Sequence, residues 1–351
     1  MAIDGSGHIW VLSADPTPPP LPAIASLAVI EFDASFNILS PAAHGWKDGG
    51  ISSYDHTDLT NLAIDGSGNV WVGGSSTRIA ELNSAGVPLS GSSGFSTGST
   101  GPDGTAGVAI DSSGNAWFAS GQTNATVYEL GPTGTLLSPF SSGFAADNCP
   151  CNGITADALG NVWVVGSSST QFLARINSSG TQGAIIHPPG FPGATFYSIA
   201  ADALGNLWIA DQHDHGVWQY STGVYPATTG FSGVSGNPFP NNAAIATPSH
   251  PKGIAIDGAG HKWIANQGTP VTPGKPINPS SVTELSANGT TNLSPDDGFG
   301  SGVINGAYSV AIDGAGNVWI ADGGTTIIQL VGAAAPTRNP IVSAVTSGFA
   351  P

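Results

Sequence analysis

The chain repeats one pattern of hydrophobic and polar positions along its length. A short apolar run ends in Asp, a polar turn of the form D-x-x-G-N or D-x-x-G-H follows, and an alternating apolar segment with a Trp comes next. The apolar run predicts a buried strand, and the alternation predicts a second strand with one face in the core. Asp can accept backbone N–H groups in the turn, and Gly and Asn tolerate positive φ. Each copy therefore predicts a β-hairpin.

Seven copies of this pattern are present, and their Asp residues are 45 to 61 residues apart. The copies cover residues 2–13, 63–74, 109–120, 155–166, 200–211, 255–266 and 311–322. This period is in the range of propeller blades. A third strand is predicted after most copies, as in RIAELNSAG, and a fourth by variants of S-x-x-G-F. The Phe residues of these variants are Phe95, Phe144, Phe299 and Phe349. The predicted fold is all-β: one seven-bladed β-propeller domain over 1–351, made of four-stranded antiparallel blades.

Each copy carries a Trp in its second strand. These residues are Trp10, Trp71, Trp117, Trp163, Trp208, Trp263 and Trp319. Because a Trp side chain buries a large area, we expect the seven to pack between blades. The motif Asp residues are interpreted as turn caps, since a feature repeated seven times indicates a scaffold and a site needs asymmetry.

Composition and charge exclude several classes of partner. The net charge is −16, with only 7 Lys and Arg among 351 residues. A nucleic-acid-binding protein needs a basic surface, and an anionic membrane surface would repel this chain. No apolar stretch is long enough for a transmembrane helix. Few Lys and many Ser, Thr and Gly favour an extracellular or periplasmic protein. Cys149 and Cys151 are close neighbours that could form a local disulfide, remain thiols or share a metal.

Long insertions interrupt the repeat at four places. Two Pro-rich loops follow the second strand, at Asp15–Ile24 and Asn266–Ser281, and two longer segments precede the first strand, at Pro41–Asn61 and Gly230–Gly253. In an up-and-down blade, loops after strand two and before strand one project from one face. We expect the ligand face on this side, because binding residues concentrate on loops held by a rigid scaffold.

Three residues lie five positions before the motif Asp of their copies, where they should point toward the channel mouth: Tyr197, Lys252 and Tyr308. With Asp211, Asn266 and Asp322, the third residues after Trp, they predict a polar, aromatic-lined pocket for a small ligand or glycan. The alternative is that these residues are ordinary parts of the scaffold.

Histidines near the same strand ends predict a second kind of site. Asp211, His213 and His215 follow one strand closely, and imidazole and carboxylate groups in one loop could bind a divalent metal, Ca, Mg or Zn, with Asp322 as a further ligand. His56, in a long loop before another first strand, could act as a general base with His213 and His215. The alternative is that these are polar, solvated loops.

The pattern G-I-A-I-D-x-x-G-N-x-W-I-A-D, seen in Gly253–Asn266 and Ser309–Asp322, resembles NHL-type repeats. The stretch GPDGTAGVAIDSSGNAWFAS also resembles the streptogramin lyase branch of propellers. The lyase resemblance implies a metal held by Glu and His, and a His base that opens a cyclic ester by elimination. The lyase resemblance implies an acidic residue three positions after each Trp, and this chain has one only at Asp211 and Asp322. It also implies a His before the first strand, and His250 is the nearest counterpart.

Two functions from different classes are therefore predicted. The first is an extracytoplasmic binding or interaction module that takes a small molecule, glycan or protein on the long-loop face, without nucleic-acid binding or membrane insertion. The second is a metal-dependent lyase or lactone hydrolase with its site at the channel mouth. A purely structural repeat domain is the third alternative.

Overall fold

The computed structural model describes most of the chain. The described residues are 1–14, 27–41, 45–51, 61–73, 78–97, 105–121, 126–137, 144–145, 150–167, 171–188, 195–213, 216–227, 231–233, 250–268, 280–323 and 326–337. These residues form 24 β-strands, no α-helix and a short 3-10 turn at Thr222–Val224. No helix among them has the length and apolar character needed to cross a membrane. The predicted all-β class is confirmed.

The strands form seven sheets, which we number 1 to 7 in chain order, and consecutive strands are neighbours in each. Sheet 1 contains β1 (Ala2–Ile3), β2 (Ile9–Ala14) and β3 (Leu27–Phe32). Sheet 2 contains β4 (Leu62–Ile64), β5 (Val70–Val72), β6 (Arg78–Leu82) and β7 (Phe95–Ser96). Sheet 3 contains β8 (Thr105–Ile110), β9 (Ala116–Ser120), β10 (Thr126–Leu130) and β11 (Phe144–Ala145). Sheet 4 contains β12 (Cys151–Ala156), β13 (Val162–Ser167) and β14 (Gln171–Ile176).

The last three sheets follow the same order. Sheet 5 contains β15 (Phe196–Ala201), β16 (Asn206–Asp211), β17 (Gly216–Ser221) and β18 (Phe231–Gly233). Sheet 6 contains β19 (Pro251–Ile256), β20 (Lys262–Asn266) and β21 (Ser281–Leu285). Sheet 7 contains β22 (Ala307–Ile312), β23 (Val318–Asp322) and β24 (Ile327–Leu330). Sheets 1–3 and 5–7 pair their strands antiparallel.

The chain divides into two compact units. Unit 1 takes in the described residues of Met1–Val164 and Ala174–Gly183, and unit 2 those of Val165–Leu173 and Ala184–Arg338. Within unit 1 the first strands β1, β4, β8 and β12 are neighbours in succession, and within unit 2 so are β15, β19 and β22. At Gly253, an added Cβ would lie 3.0 Å from the Tyr308 carbonyl oxygen, so glycine permits β19 to approach β22 closely.

Every motif Asp performs two tasks at once. Its Oδ1 accepts the backbone N–H groups two and four residues later, as in Asp65 with Ser67 and Asn69, which confirms the predicted turn cap. Its Oδ2 accepts the indole N–H of the Trp six residues later, at 2.8 to 3.2 Å in all seven copies. The motif therefore ties its turn to its largest buried side chain.

The motif Trp residues are buried, and those of four sheets pack against the following sheet. Trp10 and Trp71 contact the cores of sheets 2 and 3, and Trp208 and Trp263 those of sheets 6 and 7. The predicted packing between neighbouring repeats is correct for these sheets. Since each Trp side chain removes a large apolar area from water, these contacts bind successive sheets together.

The fourth strand is less regular than predicted. Among the described residues, sheets 2, 3 and 5 have four strands and the other four have three. Phe95 and Phe144 begin short fourth strands, whereas Phe299 makes only an isolated bridge to Val282 and Phe349 lies outside the described residues. A Phe side chain can stack on the motif Trp without a regular ladder, as Phe299 does on Trp263 at 5.6 Å between ring centroids.

The double role of the Asp can be tested against a matched turn. Asp33 caps a surface turn with the same three N–H contacts, from Ser35, Asn37 and the Asn37 side chain, but no indole bonds to its carboxylate in the described contacts. We expect Asp65→Ala to lower the free energy of unfolding by roughly 3 kcal/mol in urea denaturation, because the cap is lost and a buried indole N–H is left unpaired. Asp33→Ala should have a much smaller effect, and equal effects would contradict the role of the indole bond.

Candidate functional site

A β-bulge lies near the start of the first strand in each of sheets 5, 6 and 7. The pairing register shifts between Phe196 and Ser198, between Pro251 and Gly253, and between Ala307 and Ser309. The extra residues at these bulges are Tyr197, Lys252 and Tyr308. Bulges redirect a side chain away from its regular place in the pleat. The three positions singled out by their distance from the motif Asp are therefore structurally equivalent.

The three redirected side chains come together within unit 2. The Lys252 ammonium nitrogen lies 3.7 Å from the centroid of the Tyr197 ring and 5.5 Å from that of the Tyr308 ring. Both distances are within the range of cation–π attraction. Lys252 is only 9% exposed, whereas Tyr308 is 44% exposed. One buried cation thus lies between two aromatic rings, one of which is open to solvent.

The electrostatic surroundings of Lys252 are unusual. Burial lowers the pKa of its ammonium group to about 8. Among the described residues no carboxylate forms an ion pair with Lys252, and no oxygen accepts a hydrogen bond from it. Aromatic faces attract the charge but accept no conventional hydrogen bond from it, so no residue in the described part of the chain uses the hydrogen-bonding capacity of the ammonium group.

Neighbouring polar groups complete this cluster. Gln267 donates its side-chain N–H to the Tyr308 hydroxyl at 2.7 Å. Desolvation lowers the pKa of His250, and the charges of Lys252 and His213 lower it further. Burial and the neighbouring Tyr308 raise the pKa of Tyr197. We call Tyr197, His250, Lys252, Gln267 and Tyr308 the Lys252 cluster.

The three predicted strand-end residues lie beside the bulges. Asp211, Asn266 and Asp322 pair with Phe196, Pro251 and Ala307, the residues that directly precede the bulged ones. The structure therefore places both predicted sets at the same ends of β15, β19 and β22. What these side chains do there differs from one sheet to the next.

The Asp211 carboxylate already has several protein donors. It is fully buried; its Oδ1 accepts the backbone N–H groups of Thr195 and His213 at 2.8 and 3.1 Å, and its Oδ2 accepts the Trp218 indole at 3.0 Å. The carboxylate thus fixes the loop that carries His213. Its oxygens serve as structural acceptors.

Asn266 and Asp322 also make contacts inside the fold. The Asn266 side-chain N–H groups donate to Thr283 Oγ1 at 2.8 Å and to Ser281 Oγ at 3.4 Å. Asp322 Oδ1 accepts the backbone N–H of Thr326 at 3.2 Å. Asn266 is buried and Asp322 is half-buried, so only the second offers part of its side chain to solvent.

The residues predicted for metal binding and catalysis are only partly described. His213 is exposed, and His215 and His56 lie outside the described residues. Within the described residues, three metal-ligating side chains converge in two places, Asp4 with His8 and Glu31, and Asp257 with His261 and Glu284. Neither set contains Asp211, His213 or Asp322. The metal and catalytic roles of these residues stay predictions.

The two His-containing sets are variants of the motif turn. His8 and His261 Nδ1 lie 2.7 and 2.8 Å from a Glu carboxylate of the third strand, Glu31 and Glu284. In sheet 3, Asn115 Nδ2 occupies the same place and donates to Asp111 and Glu129 at 3.1 and 3.0 Å. Histidine therefore substitutes for Asn as a bridge between two carboxylates. Sequence reasoning missed this Glu, although E-L or E-F recurs at the end of the third strand.

Solved structures share this architecture. A streptogramin B lyase structure matches at a TM-score of 0.56 and 14% identity, covering 93% of this chain and 89% of that one. A catalytically inactive virginiamycin B lyase from Staphylococcus aureus, with quinupristin, matches at 0.56 and 14% identity, covering 79% and 86%. PorZ, a surface component of the type-IX secretion system of Porphyromonas gingivalis, matches at 0.64 and 18%, covering 93% of this chain and 45% of PorZ.

The chain has a streptogramin lyase-like β-propeller fold. The recognition of this fold from the repeat pattern is confirmed. No protein-family model and no curated protein matches the chain. At identities of 14 to 18%, similarity to these propellers supports the fold alone. The activity must be inferred from this chain's own residues.

A buried Glu in sheet 2 gives a pH prediction. Glu81 Oε1 is buried without a partner among the described residues, and burial, with a contribution from Asp65, raises the pKa of Glu81 to about 7. A pKa raised by folding means that stability falls as pH rises from about 4.5 through 7. We expect Glu81→Gln to raise the melting temperature by about 2 °C at pH 8 and by less at pH 5.

Glu129→Gln is the matched control for that variant, because an Asn of the turn hydrogen-bonds to each Glu while the pKa of Glu129 is raised only to about 6. Its gain at pH 8 should be smaller. An equal gain for both variants, or a gain at pH 5 as large as at pH 8, would contradict the prediction that the buried Glu81 carboxylate destabilises the fold at high pH.

The Lys252 cluster gives a second pH prediction. Burial lowers the pKa of Lys252, so the unfolded chain binds more protons than the folded chain between pH 8 and about 10.5. The stability that Lys252 contributes therefore rises with pH in that window. Lys252→Met should therefore be at least as stable as the parent at pH 7, and this advantage should shrink toward pH 10. The measurement is thermal unfolding across pH, with Lys47→Met, in unit 1, as control. A pH-independent loss of stability in Lys252→Met would contradict the prediction.

Proposed function

We propose that this chain is a seven-bladed β-propeller that acts outside the cytoplasm as a ligand-binding module, with the Lys252 cluster as its binding site. The observation that carries the proposal is the Lys252 ammonium group, buried between the Tyr197 and Tyr308 rings with no carboxylate paired to it in the described part of the chain. A buried cation without a hydrogen-bonded partner is costly, and such groups concentrate at functional sites.

The surroundings of this cation support binding of a small molecule or glycan. Tyr308 presents an exposed ring, which is a surface on which a flat or sugar-like ligand can stack. The bulges place two aromatic side chains and one cationic side chain at one end of three neighbouring first strands, where loops join the sheets.

The seven sheets of three or four strands and the seven equivalent motifs support the blade number. Placement outside the cytoplasm is supported by the low Lys content and by the likeness of the fold to PorZ, a bacterial surface component. We also propose that the repeats are of the NHL type. A protein partner on the long-loop face is an alternative occupant of the same surface.

A metal-dependent lyase or lactone hydrolase is the second candidate, favoured by the fold of the streptogramin B lyase structure. It would use His213 and His215, with Asp211 and Asp322 as metal ligands and His56 as a further base. This candidate predicts about one tightly bound Ca, Mg or Zn ion that His213→Ala removes. A metal-free protein indifferent to chelation would exclude it.

The binding proposal is tested at Tyr308, whose side chain is 44% exposed. A thermal-shift screen of glycans and small molecules is followed by calorimetry on the hits. Tyr308→Ala should weaken binding at least tenfold because the stacking surface is lost. Tyr308→Phe, which keeps the ring and loses only the hydroxyl, should weaken it less. Hits that bind equally to all three proteins, or a screen without hits, would overturn the Lys252 cluster as the binding site.

A further inference from the structure

We propose that the Lys252 cluster recognises a carboxylate group of a small ligand, with the Lys252 ammonium as its partner and the Tyr308 ring as the surface for the atoms beside it. This inference rests on the proposed binding function and specifies the chemistry of the ligand. It follows from the Lys252 donors that the described residues leave unused, from the local charge and from the fixed position of the ring.

Lys252 has donor capacity that no described residue uses. An ammonium group has three N–H donors, and partial burial reduces the water contacts that would satisfy them. In the described structure its contacts are the faces of Tyr197 and Tyr308, neither of which is an oxygen acceptor. The Tyr308 hydroxyl already receives the Gln267 N–H. A ligand oxygen with negative charge is the acceptor that best compensates the loss of water.

The local charge at Lys252 differs in sign from the net charge of the chain. The chain has a net charge of −16, so its general field repels anions. Lys252 is the cation of the Lys252 cluster, and burial together with the Lys252 charge lowers the pKa of His250, which favours its neutral form. The nearby Asp211 carboxylate receives two backbone N–H groups and an indole N–H. No residue of the Lys252 cluster carries a carboxylate, so Lys252 gives the cluster one positive charge.

Tyr308 has a fixed orientation. Gln267 holds its hydroxyl, and the backbone at Gly323 lies so close that an added Cβ would be 2.7 Å from Tyr308 Cε2. A ring held in this way is a preorganised platform, since little side-chain entropy is lost when a ligand stacks on it. The ligand that fits carries one carboxylate next to a flat or apolar face, as in a uronic acid or an aromatic acid.

One full positive charge favours a singly charged group over a phosphoryl dianion. Lysine binds anions as a point charge, whereas paired arginines provide the bidentate donors typical of phosphate recognition. The cluster contains one Lys and no Arg among the described residues. Inorganic phosphate therefore serves as the competing probe.

The experiment compares acids with neutral partners of the same shape: glucuronate with glucose, and benzoate with benzamide. The protein carries ¹³C-lysine; with four lysines in the chain, the Lys252 signal is assigned by its absence from Lys252→Met. We expect each acid to bind at least tenfold more tightly than its neutral partner and to move the Lys252 signal. The pKa of Lys252 should rise from about 8 when the acid is bound, because the carboxylate stabilises the ammonium form.

Variants separate the carboxylate inference from the binding function. Lys252→Met should abolish the preference for acids, whereas Lys47→Met, which removes the same charge elsewhere, should keep it. Neutral partners that bind as tightly as the acids, with binding lost in Tyr308→Ala, would overturn the carboxylate and leave the binding function standing. Phosphate that displaces either acid and binds more tightly would overturn it in favour of a phosphoryl ligand. Acids that leave the Lys252 signal unmoved would overturn it outright, and the broad screen would then decide the binding function separately.

Discussion

The hydrogen bond between each motif Asp and its Trp is the constraint on which the rest of the structure depends. The carboxylate is buried, and a buried charge is tolerated only when several donors surround it. Two backbone N–H groups and an indole N–H provide them, so the turn, the hairpin and the orientation of the Trp form as one unit. That Trp then packs on the following sheet where the cores are described. Local turn chemistry and packing between sheets are therefore coupled through one side chain.

A scaffold fixed by this bond leaves the strand ends free to vary. The bulge position is the clearest case, since it is redirected by the backbone and contributes little to the Asp–Trp unit. Sheet 3 has Ala106 there, within the same register shift, whereas sheets 5, 6 and 7 have Tyr197, Lys252 and Tyr308. A small apolar residue suffices to fill this position. Two aromatic rings around a cation exceed what the scaffold requires, which separates the Lys252 cluster from the repeat itself.

The sequence was sufficient to predict the features that recur. Seven D-x-x-G-N/H turns predicted the hairpins, and the place of the Trp in the alternating strand predicted its burial. The spacing of five residues before the Asp placed Tyr197, Lys252 and Tyr308 together, because equivalent positions in neighbouring repeats lie side by side. Features that depend on side-chain direction were not predictable in this way. The indole bond needs the Trp rotamer, and the contacts of Asp211 join β16 to Thr195 in a loop and to Trp218 in β17.

The fourth strand shows a different limit of sequence reasoning. Its Phe is bound by packing on the Trp of its own sheet, as Phe95 is on Trp71 at 5.8 Å and Phe299 on Trp263. Ring packing requires no backbone ladder, so the same sequence signal leads to a strand in sheet 2 and to an isolated bridge in sheet 6. A motif that reports hydrophobic contact therefore fixes where the chain returns to the sheet and leaves the backbone pairing undetermined.

Two lysines of sheet 6 show why the missing partner of Lys252 is a property of the site. Both are buried, burial lowers both pKa values to about 8, and both lie over aromatic rings. Lys262, however, donates to the Ala287 carbonyl and lies 3.8 Å from the Asp202 carboxylate, so its charge is compensated by groups within the fold. Among the described residues, Lys252 contacts the two tyrosine rings but no oxygen acceptor. Lys262 has an acceptor inside the fold and Lys252 has none among the described residues, so a ligand would gain most from contact with Lys252.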